Sequence, residues 1–361
     1  MHDKNTDFNL EKLIKDVFQP GPDERVLIMS DIPRDGIPDH PEWEDRRRMA
    51  EEWKLAFKSL TEFVAPLLSY PATGAGNADL PETGTMDGKT VSILECMADY
   101  NILVGMTEYS ATAPLAAFVK RHSNIRAASM PGVLRRMEQS ALAADYREVA
   151  RKTHILSERL TRARSARVIF STGHIVDFDL RERTGHSDDG LCVPGKAFPV
   201  INLPSGEAFI VPYEGENAGQ PSQTQGEIPI SGNGETYVLQ VEGNKIMEVA
   251  GDGRNAAFMR SFFEVDTARR NIAELGLGCN DRAVVLGNVL EDEKAGMHWA
   301  YGRSEHLGGT IGPYSFTQPG HVVHQDIVYA PGSGISVDSV RITYLGGGDE
   351  EIMNNNEYTV F

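Results

Sequence analysis

Residues 166–183 read ARVIFSTGHIVDFDLRER. Apolar residues recur on both sides of Gly173, which predicts a strand pair around a turn containing that glycine. The stretch decides the fold because the character of the chain changes at about residue 163. Before it, short apolar runs alternate with helical patterns. After it, extended segments follow one another with Gly and Pro at the turns.

Working back toward the start, residues 9–18 carry Leu10, Leu13, Ile14, Val17 and Phe18 at helical spacing. RVLIMS at 25–30 reads as a buried strand. A charged but periodic helix is predicted over 43–64, a strand over 65–70, and a Gly-rich loop over 73–88 (TGAGNADLPETGTMDG). Helix and strand then recur at 91–98, 100–105, 113–121 and 125–128, and a long helical stretch at 133–162 is interrupted near Ala144. Strands alternating with helices predict a parallel sheet covered on both faces. No GxGxxG follows the first strand and no phosphate-loop ending is present, so no dinucleotide or nucleotide is assigned.

Working forward, AFPVINLPSGEAFIVP (197–212) reads as a second extended pair, residues 254–275 as a helix, and 329–350 as a hairpin with a polar end. The expected fold class is α/β plus α+β: an open α/β domain over 1–162, then a β-rich domain over 163–361.

The 361 residues suffice for two domains with cores of their own. A formal net charge of -17 disfavours nucleic acid and anionic membranes as partners and weakly favours cations. The three cysteines are widely spaced and form no zinc or disulfide pattern, as expected of free thiols in a reducing compartment. The N-terminal residues show no signal-peptide core, and no run approaches the roughly 20 apolar residues of a membrane span. A cytoplasmic protein is the expectation.

Residues able to carry chemistry gather in the C-terminal part. His324 and Asp326 stand at i and i+2 in an apolar run, so in a strand they share one face. His298 lies between Met297 and Trp299, after the acidic Glu291, Asp292 and Glu293. Glu274 runs into LGLG, where glycine permits close approach. Glu207 follows Pro204-Ser205-Gly206. Taken singly, each has an ordinary structural explanation. Together, imidazoles and carboxylates make a ligand set for zinc, cobalt, manganese or iron. A set so rich in carboxylates suits two ions that activate water for amide hydrolysis.

The motifs NLPSGEAF, AELGLG, DEKAGMHWAYG and HQD occur in this order, and RAASMPGV and ADYREVARK precede them. In these motifs the chain resembles the aminopeptidase T-type (thermophilic aminopeptidase) metallopeptidases. The resemblance implies an α/β N-terminal part, a metal-holding C-terminal part, a homodimer, and release of N-terminal amino acids. It places metal ligands at Glu207, Glu274, His298, His324 and Asp326, and the family's acidic-segment Glu at Glu293. Either Glu274 or Glu293 would take the proton of the attacking water. The chain departs from the family at Glu305, where the family carries a Tyr near the metals; Tyr301 and His306 lie nearby in a different register. The family also has an offshoot of iron-dependent dihydroxypyridine dioxygenases, which carry a His where this chain has Glu274.

The expected function is therefore a metal-dependent hydrolase acting on small peptides or aminoacyl amides with about two divalent ions. The alternatives are an Fe(II) ring-cleaving dioxygenase of the same fold, a hydrolase of a specialised small amide, and a binding protein on a decayed site.

Overall fold

The computed structural model describes residues 8–196 and 199–361. The first seven residues, and Ala197 and Phe198 of the extended pair expected over 197–212, lie outside it. In chain order the elements are α1 (Leu10–Phe18), β1 (Arg25–Ile32), α2 (Pro41–Lys58), β2 (Phe63–Val64), β3 (Leu68–Pro71), β4 (Thr83–Met86), β5 (Lys89–Ser92), α3 (Ile93–Met97), β6 (Ile102–Gly105), α4 (Thr112–Val119), β7 (Arg126–Ser129) and α5 (Tyr146–Arg162). There follow β8 (Ala163–Phe170), β9 (Ile175–Asp179), β10 (His186–Asp188), β11 (Val200–Asn202), β12 (Glu207–Ile210), β13 (Gln225–Gly232), β14 (Glu235–Glu242), β15 (Lys245–Ala250), α6 (Arg254–Val265), β16 (Ile272–Gly278), α7 (Val289–Asp292), β17 (Met297–Gly302), β18 (His324–Tyr329), β19 (Val337–Tyr344), β20 (Asp349–Asn354) and β21 (Glu357–Tyr358).

The mixed α/β plus β-rich class is as expected. The first sheet runs β11-β7-β6-β1-β3-β4-β5, with β2 also on β1. Its strands from β11 to β3 are parallel, and β4 and β5 are antiparallel additions. Two further sheets follow, β10-β12-β16-β17-β18 and β15-β14-β13-β9-β8-β19-β20-β21. The chain divides into two compact units, one made of 1–150, 188–206 and 280–284, the other of 151–187, 207–279 and 285–361. The change of character at residue 163 is the junction at which α5 runs straight into β8. No helix among the described residues is long and apolar enough to cross a membrane.

Several local expectations are corrected. The helix expected over 254–275 ends at Val265. Asp266 turns extended (φ -155°, ψ 125°) and its carboxylate caps a short 3-10 turn, Thr267–Arg270. From Ile272 the chain is a strand, so Glu274 lies on a strand and not at a helix end. The Gly-rich loop over 73–88 contains β4 and the turn of a hairpin. Asp87 and Gly88 both take positive φ (51° and 71°), the backbone of a tight Asp-Gly hairpin turn. The extended pair over 197–212 does not pair with itself: β11 joins β7 in the parallel sheet, and β12 joins β16. The helix over 43–64 stops at Lys58, and Phe63 and Val64 pair with β1. The stretch before Ala144 is two 3-10 turns, Arg135–Gln139 and Ala141–Ala143.

The second unit explains where the chemistry sits. Along β12, β16, β17 and β18, alternate side chains enter its core: Ala208 and Ile210, Leu275 and Leu277, Met297, Trp299 and Tyr301, and Tyr329. The residues between them (Glu207, Glu274, Gly276, His298, His324, Asp326) therefore project from the opposite face of that sheet. Register is held by burial. A one-residue slip of β17 would put His298 in place of Trp299, with about 1.5–3 kcal/mol at stake for each large apolar side chain. A bulge between Ile272 and Glu274 adjusts β16 beside the site, a common place for such irregularities.

Candidate metal centre

Cross-strand register brings the polar residues together. Glu274, Ala300 and Asp326 are successive partners across β16, β17 and β18. His298 is partnered by Gly276, and Glu207 by Gly278. The glycines are needed for close approach. A Cβ on Gly276 would lie 1.9 Å from His298 Nε2, and one on Gly278 would lie 2.2 Å from the Glu293 carbonyl oxygen. The AELGLG motif thus clears room for an imidazole and for the 293–296 segment that passes over the strand.

All five sequence-derived ligand candidates converge. Ligand atoms of Glu207, Glu274 and His298 lie within 4.8 Å of one another, as do those of Glu274, His324 and Asp326. Glu274 belongs to both groups. Its Oε1 is 3.7 Å from His298 Nε2 and its Oε2 is 3.2 Å from His324 Nε2. Asp326 Oδ1 is 3.5 Å from His324 Nε2. The His324 ring is oriented from behind, with Nδ1 2.7 Å from the Arg303 carbonyl oxygen. That bond presents Nε2 to the carboxylates, as a ligating histidine needs.

A divalent ion fits these residues. Glu207 Oε2 and His298 Nε2 are buried 3.0 Å apart, facing each other as an ion pair without an aligned hydrogen bond. Buried polar atoms ordinarily make aligned hydrogen bonds, so two metal-ligating atoms that face each other and Glu274 without one suit a shared cation.

The protonation pattern follows from the packing. Burial works to raise the Glu274 carboxyl, but His298 and His324 outweigh it and bring it down to about 2. Burial likewise opposes ionisation of Glu207, and Lys294 and His298 reverse it. Glu293 goes the other way: burial pushes it up to about 8 despite Lys294. Both imidazoles are driven well above their ordinary value by the carboxylates, against the effect of burial.

Sequence reasoning missed Lys294. It is completely buried, with Nζ 2.5 Å from Glu207 Oε1 and 2.6 Å from Glu293 Oε1. A lysine after three acids reads as part of a solvated turn, whereas here the segment packs over Gly278 and the lysine is buried. His186 was missed as well. Its ring stacks on Phe209 at 5.4 Å, on the strand face that carries Glu207. Of the three residues considered for the family's Tyr position, Glu305 is exposed and paired with Arg303 at 2.8 Å. Tyr301 packs in the core against Phe262, Phe263 and Trp299. His306 is the one beside the cluster, its ring centroid 5.0 Å from that of His324.

No protein-family model matches the chain, and no curated protein matches it. Among solved structures it is similar to 2,5-dihydroxypyridine dioxygenase from Pseudomonas putida, with a TM-score of 0.64 and 16% identity over 99% of this chain and 98% of that one. It is also similar to wild-type AmpT, aminopeptidase T, from Thermus thermophilus, with a TM-score of 0.57 and 16% identity over 98% of this chain and 99% of that one. At this identity the likeness is one of fold, and it extends over the whole length.

Proposed function

We propose that the chain is a metal-dependent hydrolase that releases N-terminal amino acids from small peptides or aminoacyl amides. The observation that carries this reading is the Glu274 carboxylate, held between two imidazoles and shared by two ligand groups. Zinc, cobalt or manganese suits such a set. When bound, the ion supplies a Lewis acid that polarises a carbonyl oxygen and acidifies water. Glu207, Glu274, His298, His324 and Asp326 are the residues available to hold it.

The chain's own residues divide the remaining work. Glu274, brought down to about 2, stays ionised and is a weak base suited to ligation. Glu293, pushed up to about 8, exchanges its proton near neutral pH and is the better group to take a proton from water and return it to the leaving amine. Lys294 Nζ fixes one Glu293 oxygen, so the transfer falls to the other. His306 is exposed and borders the cluster, its ring centroid 5.0 Å from that of His324.

A second reading, Fe(II)-dependent ring cleavage, draws support from the presence of two histidines and Asp326 in the two ligand groups that share Glu274, and from the likeness to the dioxygenase. One experiment separates the two. Protein stripped by a chelator is reloaded with zinc, cobalt, manganese or Fe(II). Each form is assayed on a panel of aminoacyl amides and for oxygen uptake with 2,5-dihydroxypyridine. Metal-restored amide cleavage is expected. Full-rate cleavage by the stripped protein, or oxygen uptake with no amide cleavage, overturns the hydrolase reading.

A further inference from the structure

The number of ions is a separate question, and Lys294 bears on it. Its ammonium is fully buried and sits between two carboxylates of the cluster, 2.5 Å from Glu207 Oε1 and 2.6 Å from Glu293 Oε1. The other oxygen of Glu207 faces His298 at 3.0 Å. One side of the cluster, formed by Glu207, Glu293 and His298, thus already contains a cation placed between two carboxylate oxygens, the position a divalent ion takes in a carboxylate-rich site. On the other side, Glu274, His324 and Asp326 meet one another, His298 and the Arg303 carbonyl. A dication at Glu207 and an ammonium on the same carboxylate repel in a buried setting, where charges are poorly screened.

We propose that the Lys294 ammonium is the built-in cation of the Glu207–Glu293 side, so that the centre takes a single divalent ion, at Glu274, His324 and Asp326, where the sequence predicts two. The inference rests on the metal reading above and fixes its stoichiometry. Glu207 Oε2 and His298 Nε2, which face each other at 3.0 Å, then form a latent second site that opens when the lysine charge is removed.

The test counts ions. The full chain is stripped, equilibrated with excess zinc, desalted and analysed for zinc per chain. About one zinc is expected for the native chain, about one for K294R, which keeps the charge, and about two for K294M, which removes it. D326N should remove the native ion and E207Q should leave it in place. About two zinc in the native chain, an unchanged count in K294M, or loss of the ion in E207Q with retention in D326N overturns the proposal. If circular dichroism shows that K294M does not fold, the native count and the E207Q–D326N contrast still decide. A native chain that binds no zinc at all overturns the metal reading itself and this inference with it, a result distinct from a count of two.

Discussion

Glu274 Oε2 lies 3.2 Å from His324 Nε2 although β17 runs between their strands. The gap is bridged because the residue of β17 paired with Glu274 is Ala300, whose side chain is too short to block the approach. The two residues therefore meet over a small side chain on a sheet face whose other side is the core.

This contact makes Glu274 the residue whose charge matters most. Glu274→Gln keeps the shape and removes the negative charge that both imidazoles share. The variant should fold, since the carboxamide still accepts a hydrogen bond. Metal affinity should fall by about a hundredfold or more, the upper end of what loss of a ligand's supporting partner costs. Amide turnover should fall with it. Titration with zinc and an activity assay check this; near-native values for both would remove Glu274 from the centre.

Gly276→Ala tests the close approach on the same strand. The added Cβ would lie 1.9 Å from His298 Nε2, and the imidazole is fully buried with no room to retreat. Overpacking of this kind typically costs about 1–3 kcal/mol. We expect destabilisation of that size in a denaturant titration and a drop in turnover. A paired Gly276→Ala, His298→Ala variant should recover the stability but not the activity. If the single variant is as stable as the native chain, the glycine is not there to admit the ring.

These two residues also show what was legible in the sequence. The donor types, the i, i+2 spacing of His324 and Asp326, and the glycines beside Glu274 are local features, and the residues they point to are ones the fold brings together. The helical pattern of residues 254–275 nonetheless takes in Glu274, which lies on a strand. Residues 254–265 are helical, and the switch to a strand depends on pairing with β12 and β17, which are distant in sequence. Pairing of this kind also sent β11 and β12 to different sheets. Lys294 is illegible for a related reason: its ammonium is paired with Glu207, 87 residues back in the chain, and its segment packs over Gly278. Burial created by long-range contact leaves little trace in a local pattern.

Asp266 gives a stability prediction away from the centre. Its carboxylate accepts hydrogen bonds from Ala268 N, Thr317 N and Thr317 Oγ1, and meets His321 Nδ1 at 3.1 Å. Burial works to raise its pKa, but these partners outweigh it and hold the carboxyl at about 2, below its ordinary 3.8. With the folded value depressed, the stabilisation is complete above the unfolded value and is lost as pH falls from about 4 through about 2. Asp266→Asn should cost about 2 kcal/mol near pH 7, the scale of hydrogen bonds to a charged group. The difference from the native chain should shrink across that acidic window. A difference that stays constant down to pH 2 would mean that the charge contributes nothing.

Metal removal should be visible in stability before any substrate is known. Glu274 is buried and meets His324 and Asp326 only through the pairing of distant strands, so an ion that binds them does so in the folded state. An ion at a thousand times its dissociation constant stabilises by about 4 kcal/mol. At roughly 2–4 °C per kcal/mol, the scale for a domain of about 150–250 residues, this gives a rise of up to roughly 8–16 °C between chelated and metal-loaded protein. Because the ligands must be deprotonated to bind, the rise should be smaller at pH 6 than at pH 8. Glu274→Gln should abolish most of it at both pH values. Equal melting temperatures with and without metal would separate this chain from metal chemistry, and the convergence of its acids and imidazoles would then need an organic cation in the place of the ion.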